Sequence, residues 1–78
     1  MRLFLYFAPA TSVVLPSLVY WRAQRRLTQE QLAERLGMSR NTVWRIEAGY
    51  PAFMRTTRLL AKALSVQVAD LQRQPPES

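Results

Sequence analysis

Leu27-Thr28-Gln29-Glu30-Gln31-Leu32-Ala33-Glu34-Arg35-Leu36-Gly37-Met38-Ser39-Arg40-Asn41-Thr42-Val43-Trp44-Arg45-Ile46-Glu47 reads as two short helices joined by one sharp turn. Thr28 and Gln31 stand at capping-box spacing, and Leu27 can meet Leu32 as a hydrophobic staple, so a helix starts here. Its apolar side is Leu32, Ala33 and Leu36, and Gly37 follows where helices commonly close on a left-handed residue. Only Met38 separates that glycine from Ser39, a cap for the next helix, with Met38 and Val43 again at staple spacing. In this second helix Val43, Ile46 and Glu47 share one side; Asn41, Trp44, Arg45 and Ala48 share the other.

The same period extends in both directions, from about Pro16 to Arg73. Upstream, Ser17 is a candidate cap for a helix ending at Arg25 or Arg26, with Leu18, Trp21 and Arg25 on one stripe and Arg22 beside it. Downstream, Gly49 and Pro51 break the pattern. Thr56 is the candidate start of a fourth helix whose Leu59, Leu60, Ala63 and Leu64 point inward, and Val66, Val68 and Leu71 suggest a short fifth before Pro75-Pro76. The expected organisation is an apolar arm over 1–16, an all-α five-helix domain over 17–74 and a tail over 75–78. Within the arm, Leu3 to Phe7 favours a short strand that Pro9 ends.

No residue from Leu3 to Trp21 is charged, a length close to the roughly 20 apolar residues of a membrane span. Pro9 and Pro16 interrupt the run and Thr11, Ser12 and Ser17 dilute it, which argues against a spanning helix. The apolar stretch Leu3 to Ala8 is also shorter than a secretory h-region, and Ala8/Ala10 would end an unusually short signal.

Length allows one domain, since the chain has 78 residues. A hydrophobic share of 49% with 21% charged residues suits a globular chain. Cysteine and histidine are both absent, which removes disulfides, thiolate-bound zinc, a Cys nucleophile and a His general base. Glu30, Glu34 and Glu47 already have helical explanations and no acid pair converges on a cleft, so catalysis is not expected. Eleven basic against five acidic residues give a net charge of +6 and a pI near 11.2. An anionic partner follows, either nucleic acid or an acidic membrane surface.

Two helices joined by a tight, glycine-containing turn have helix-turn-helix geometry, and Thr28 to Glu47 has the required lengths. The quoted segment closely resembles the phage repressor/Cro class of DNA-binding domains, and Leu60-Ala61-Lys62-Ala63-Leu64-Ser65-Val66 resembles that family's fourth helix and its exit. The resemblance spans roughly Leu18 to Leu71. It implies a sequence-specific regulator of prokaryotic or phage type, a cytoplasmic repressor without a cofactor, that binds double-stranded DNA. Ala33 lies where the two helices cross, and a larger side chain there would push them apart. Arg22 is similar to the family arginine that pairs with the glutamate here represented by Glu47; a phosphate contact is its alternative role. Two departures stand out. Arg26 occupies a place where the family often has glycine, at a cost of roughly 1–2 kcal/mol if its backbone is left-handed, and the loop around Tyr50-Pro51 is shorter than in many relatives.

A recognition helix enters the major groove by its N-terminal end, so the resemblance makes Arg40, Asn41 and Arg45 base readers. Arginine can pair bidentately with guanine and asparagine with adenine. Trp44 sits on the flank, either packed on a neighbouring helix or against a thymine methyl or sugar. Gln29 resembles the glutamine that meets phosphate at a helix N-terminus; Thr42 is a packing or phosphate residue. Arg25 and Arg26, with Arg55 and Arg58, would add phosphate attraction that cannot read sequence. One such helix covers few base pairs, so a homodimer is expected, joined through Leu3, Phe4, Leu5, Tyr6 and Phe7 or through Val66, Val68 and Leu71. The rival readings are an antitoxin that also binds a toxin protein, and a membrane-tethered DNA-binding protein with Arg22 to Arg26 on the inner side.

Overall fold

Thr28 holds extended backbone (φ −78°, ψ 165°). Its hydroxyl accepts the Gln31 N–H at 3.0 Å while Gln31 Oε1 accepts the Thr28 N–H at 2.9 Å. This closed capping box, in a computed structural model that describes residues 12–76, starts helix α2 (Gln29–Leu36). Gly37 ends it at φ 66°, a left-handed conformation that costs glycine little. Met38 N–H then reaches back to the Ala33 carbonyl at 3.0 Å. Two residues after Gly37, Ser39 Oγ accepts the Thr42 N–H at 3.2 Å and α3 (Arg40–Glu47) begins. The chain turns in so few residues because one left-handed glycine and one serine cap do the work of a loop.

Around this pair lie α1 (Leu18–Gln24), α4 (Met54–Leu64) and α5 (Val68–Gln72), together with two-residue strands β1 (Ser12–Val13) and β2 (Ala52–Phe53). The all-α, five-helix expectation holds, with one addition. β1 and β2 pair antiparallel, Ser12 opposite Phe53 and Val13 opposite Ala52. This pairing was not anticipated, and it moves the expected arm boundary: Leu15, assigned to the arm, is 2% exposed and belongs to the core. The proposed strand at Leu3 to Phe7 lies outside the described residues.

One cluster of Leu15, Leu18, Leu27, Leu32, Ala33, Val43, Ile46, Ala52, Leu60, Ala61, Leu64 and Leu71 forms the core, so all five helices and β2 contribute to it. Fully burying a leucine contributes about 1.5–3 kcal/mol, which makes this cluster the main source of stability. Among the described residues no helix is long and apolar enough to cross a membrane. Within the described part of the uncharged run Leu15, Ser17 and Leu18 are buried, while Val14 and Val19 are exposed.

Three local expectations are corrected. Ser17 occupies the N-cap position of α1 but makes no side-chain cap; its hydroxyl donates instead to the Arg73 carbonyl, and its N–H donates to the Leu71 carbonyl at 3.2 Å. α4 begins at Met54 rather than Thr56, with Phe53 as an extended N-cap residue. The inward face of α4 is Thr57, Leu60, Ala61 and Leu64, whereas Leu59 is 49% exposed. Thr57 tolerates burial because its hydroxyl donates to the Phe53 carbonyl at 3.0 Å, so no polar atom is stranded there.

Candidate nucleic-acid interface

The angle between α2 and α3 is fixed first by packing and then by a polar clamp. Ala33 of α2 is 2% exposed, and Val43 and Ile46 of α3 are buried with it in the core. At the far end of α3, Arg22 Nε donates to Glu47 Oε2 at 2.5 Å and Arg22 Nη2 to Glu47 Oε1 at 3.1 Å. This bidentate arrangement matches a planar guanidinium to a carboxylate and is stronger than a single contact. Arg22 Nη1 donates also to the Leu27 carbonyl at 2.8 Å, which ties the pair to the entry of α2. The carboxylate is 6% exposed and the guanidinium side chain 17%. Charges this deeply placed need partners, and each has more than one.

Gln29 completes the clamp. Expected at a phosphate, its side-chain amide donates within the chain to Glu47 Oε1 at 2.8 Å. The first residue of α2 is thereby joined to the last residue of α3.

With Val43 and Ile46 committed inward, the helical period turns Arg40, Asn41, Trp44 and Arg45 outward together. Arg40, Asn41 and Trp44 line one shallow surface hollow. Trp44 is 49% exposed, so about half of its surface lies open beside Arg40 and Asn41. Thr42 is half-buried at the margin, its hydroxyl 3.0 Å from that of Ser39. Arg40 stands in the first turn of α3, where no acidic residue is present. The helix dipole favours negative charge at that end, so a cation there is unfavourable for the isolated helix and suited to an anionic occupant.

The other basic residues divide into two kinds. Arg25, expected to be a phosphate contact, has its Nε donating to the Leu64 carbonyl at 2.7 Å and its guanidinium 5.4 Å from the centroid of the Trp21 ring. It caps the C-terminal end of α4, where orphan carbonyls favour a cation. Arg26 is exposed and left-handed at φ 58°. Arg55 and Arg58 are exposed near the start of α4, with Arg55 Cζ 5.4 Å from the centroid of the Phe53 ring. Among the described residues the ion pairs are Arg22–Glu47 and Arg73–Asp70, so neither Arg40 nor Arg45 is neutralised by a carboxylate within them.

Tyr50 carries a role that motif reading missed. Arg45 Cζ lies 4.4 Å from the centroid of its ring. An aromatic residue just past a basic helix end is the only signal the sequence offers for such a contact, and many loops share it.

Residues 20–74 match the family described as a helix-turn-helix domain. An uncharacterized HTH-type transcriptional regulator of Methanocaldococcus jannaschii is 42% identical over 55 residues, covering 69% of this chain and 83% of that protein. No solved structure matches the chain significantly.

Proposed function

Because this chain belongs to the helix-turn-helix domain family, we propose that it binds double-stranded DNA sequence-specifically and acts as a transcriptional regulator, with α3 in the major groove. The observation that carries this reading is the joint exposure of Arg40, Asn41, Trp44 and Arg45 on one side of a helix whose other side is buried. Three of them have edge donors or acceptors of the kind that distinguish base pairs, and Trp44 offers an apolar face for a thymine methyl or a sugar. The archaeal relative is named as an HTH-type transcriptional regulator, which supports the same class.

In this reading Arg40 and Arg45 pair with guanine edges and Asn41 with an adenine edge. Arg26, Arg55 and Arg58 supply phosphate attraction without sequence information, and Thr42 stands where the groove wall would meet the helix. The clamp of Arg22, Gln29 and Glu47 holds the presentation angle. The functional unit is a homodimer repressor reading two half-sites about 34–36 Å apart. Its proposed contact is the arm, Leu3, Phe4, Leu5, Tyr6 and Phe7, which lies outside the described residues.

Selection of bound sites from random duplex DNA tests the proposal as a whole. The expected result is a defined motif with two-fold symmetry and half-sites one helical turn apart. Recovery of unenriched sequences would overturn sequence-specific binding, and a single half-site would overturn the dimer.

A further inference from the structure

Tyr50 is held against Arg45 twice. Its ring lies 4.4 Å from Arg45 Cζ, the shortest of the cation–π contacts among the described residues. Its backbone N–H also donates to the Arg45 carbonyl at 3.0 Å, across a turn in which Gly49 takes φ 109°. On the far side Pro51 leads directly into Ala52, which is 4% exposed and paired to Val13. The loop that carries the ring is therefore pinned at both ends, while Tyr50 as a residue is 49% exposed and is not part of the core cluster.

The chemistry of the contact matters more than its strength. A guanidinium is attracted to an aromatic ring through its flat face, whereas its N–H donors lie in the plane and point outward from the edge. Guanine is read by that edge. A contact made through that flat face keeps the reading donors of Arg45 open, and the 4.4 Å approach to Tyr50 restricts a long side chain that would otherwise lose rotamer freedom on binding.

We propose that Tyr50 is a positioning residue that sets the orientation from which Arg45 reads its base pair, and so a determinant of sequence preference at that pair alone. The inference rests on the reading of Arg45 as a base contact. A second possibility, that the Tyr50 hydroxyl touches a DNA phosphate, is an outcome of the test.

The test uses the full chain and the site it selects from random duplex DNA, with affinities measured for that site and for versions altered one base pair at a time. Arg45→Ala identifies the pair at which discrimination depends on Arg45. Tyr50→Leu is expected to lose about fivefold in discrimination at that same pair, with other positions and random DNA unaffected. Tyr50→Phe and Tyr50→Trp keep a π face and are expected to discriminate like the unmodified chain, which also separates the effect from a folding defect. In an Arg45→Ala background Tyr50→Leu should add nothing.

Unchanged discrimination in Tyr50→Leu would overturn the proposal. So would a further loss in the Arg45→Ala background, or a uniform loss on all DNA in Tyr50→Phe, which would mark a phosphate contact. If Arg45→Ala relaxes no base pair, the assignment of Arg45 as a reader falls instead, and the positioning role falls with it.

Discussion

Glu47 at the end of α3 accepts a hydrogen bond from Gln29 at the start of α2, 2.8 Å apart in space and 18 residues apart in sequence. The same carboxylate holds Arg22 of α1 in a bidentate pair. One side chain therefore sets how three helices meet.

Replacing Glu47 by alanine should be among the most damaging substitutions in the chain. It strands the Arg22 guanidinium in a site only 17% exposed and releases Gln29. A loss of about 3 kcal/mol is expected, the lower end for breaking a buried pair because water reaches Arg22. In a domain of this size that lowers Tm by more than about 10 °C. Gln29→Ala removes one bond and should cost about 1 kcal/mol. A Tm unchanged by Glu47→Ala would show that packing alone fixes the helix angle.

Arg40→Ala and Arg25→Ala should separate by assay. Arg40→Ala is expected to cost about 1–3 kcal/mol on the preferred site and to relax its sequence preference, with little change in stability. Arg25→Ala should leave sequence preference intact and lower unfolding free energy by about 1 kcal/mol, because its Nε serves the Leu64 carbonyl. Urea unfolding and salt-titrated DNA binding on both variants check this. Equal loss on all sequences for Arg40→Ala would remove it from the readers.

Arg26→Gly should stabilise the fold. Arginine at φ 58° carries a steric cost that glycine avoids, partly offset by the greater freedom of glycine in the unfolded chain. The expected gain is about 0.5–1 kcal/mol in chemical denaturation, and DNA affinity should fall slightly and uniformly as one cation is removed. A loss of stability would mean that the Arg26 side chain makes a compensating contact.

Two truncations distinguish the arm from the domain. Removing residues 1 to 10 spares β1 and the core residue Leu15, so a folded chain is expected that no longer dimerises. Removing residues 1 to 16 takes away Leu15 and the β1 pairing and should destabilise the fold by about 2–5 kcal/mol. Mass in solution and thermal melting read the two effects. A variant lacking residues 1 to 10 that remains dimeric would move the interface to the α5 end at half-buried Val66 and Val68, without Leu71, which is buried in the core of its own chain.

What was legible in the sequence is what a few neighbouring residues decide. Thr28 with Gln31, Gly37 and Ser39 each act on backbone groups within four residues, and each stands where spacing put it. Distant partners escaped. Ser17 looks like a cap, yet its hydroxyl serves a carbonyl 56 residues away, and Arg25 serves one 39 residues away. The face of α4 was misread because Leu59, Leu60, Ala61, Ala63 and Leu64 crowd around the helix, and the residue that fixes the buried side is the polar Thr57. The position of Gln29 at a helix start is visible in one dimension, while its distance from Glu47 is not.

The bonds from Ser17 to Leu71 and Arg73 fasten the opening of α1 to the last turn of α5. A chain made from its N-terminus has α1 and the helix pair long before it has the residues that latch them, and contacts so far apart in sequence close late. The recognition surface is thus synthesised early and clasped last. A nascent chain that stops short of Leu71 lacks both the latch and a core leucine, so the fold is closed only when α5 has been delivered.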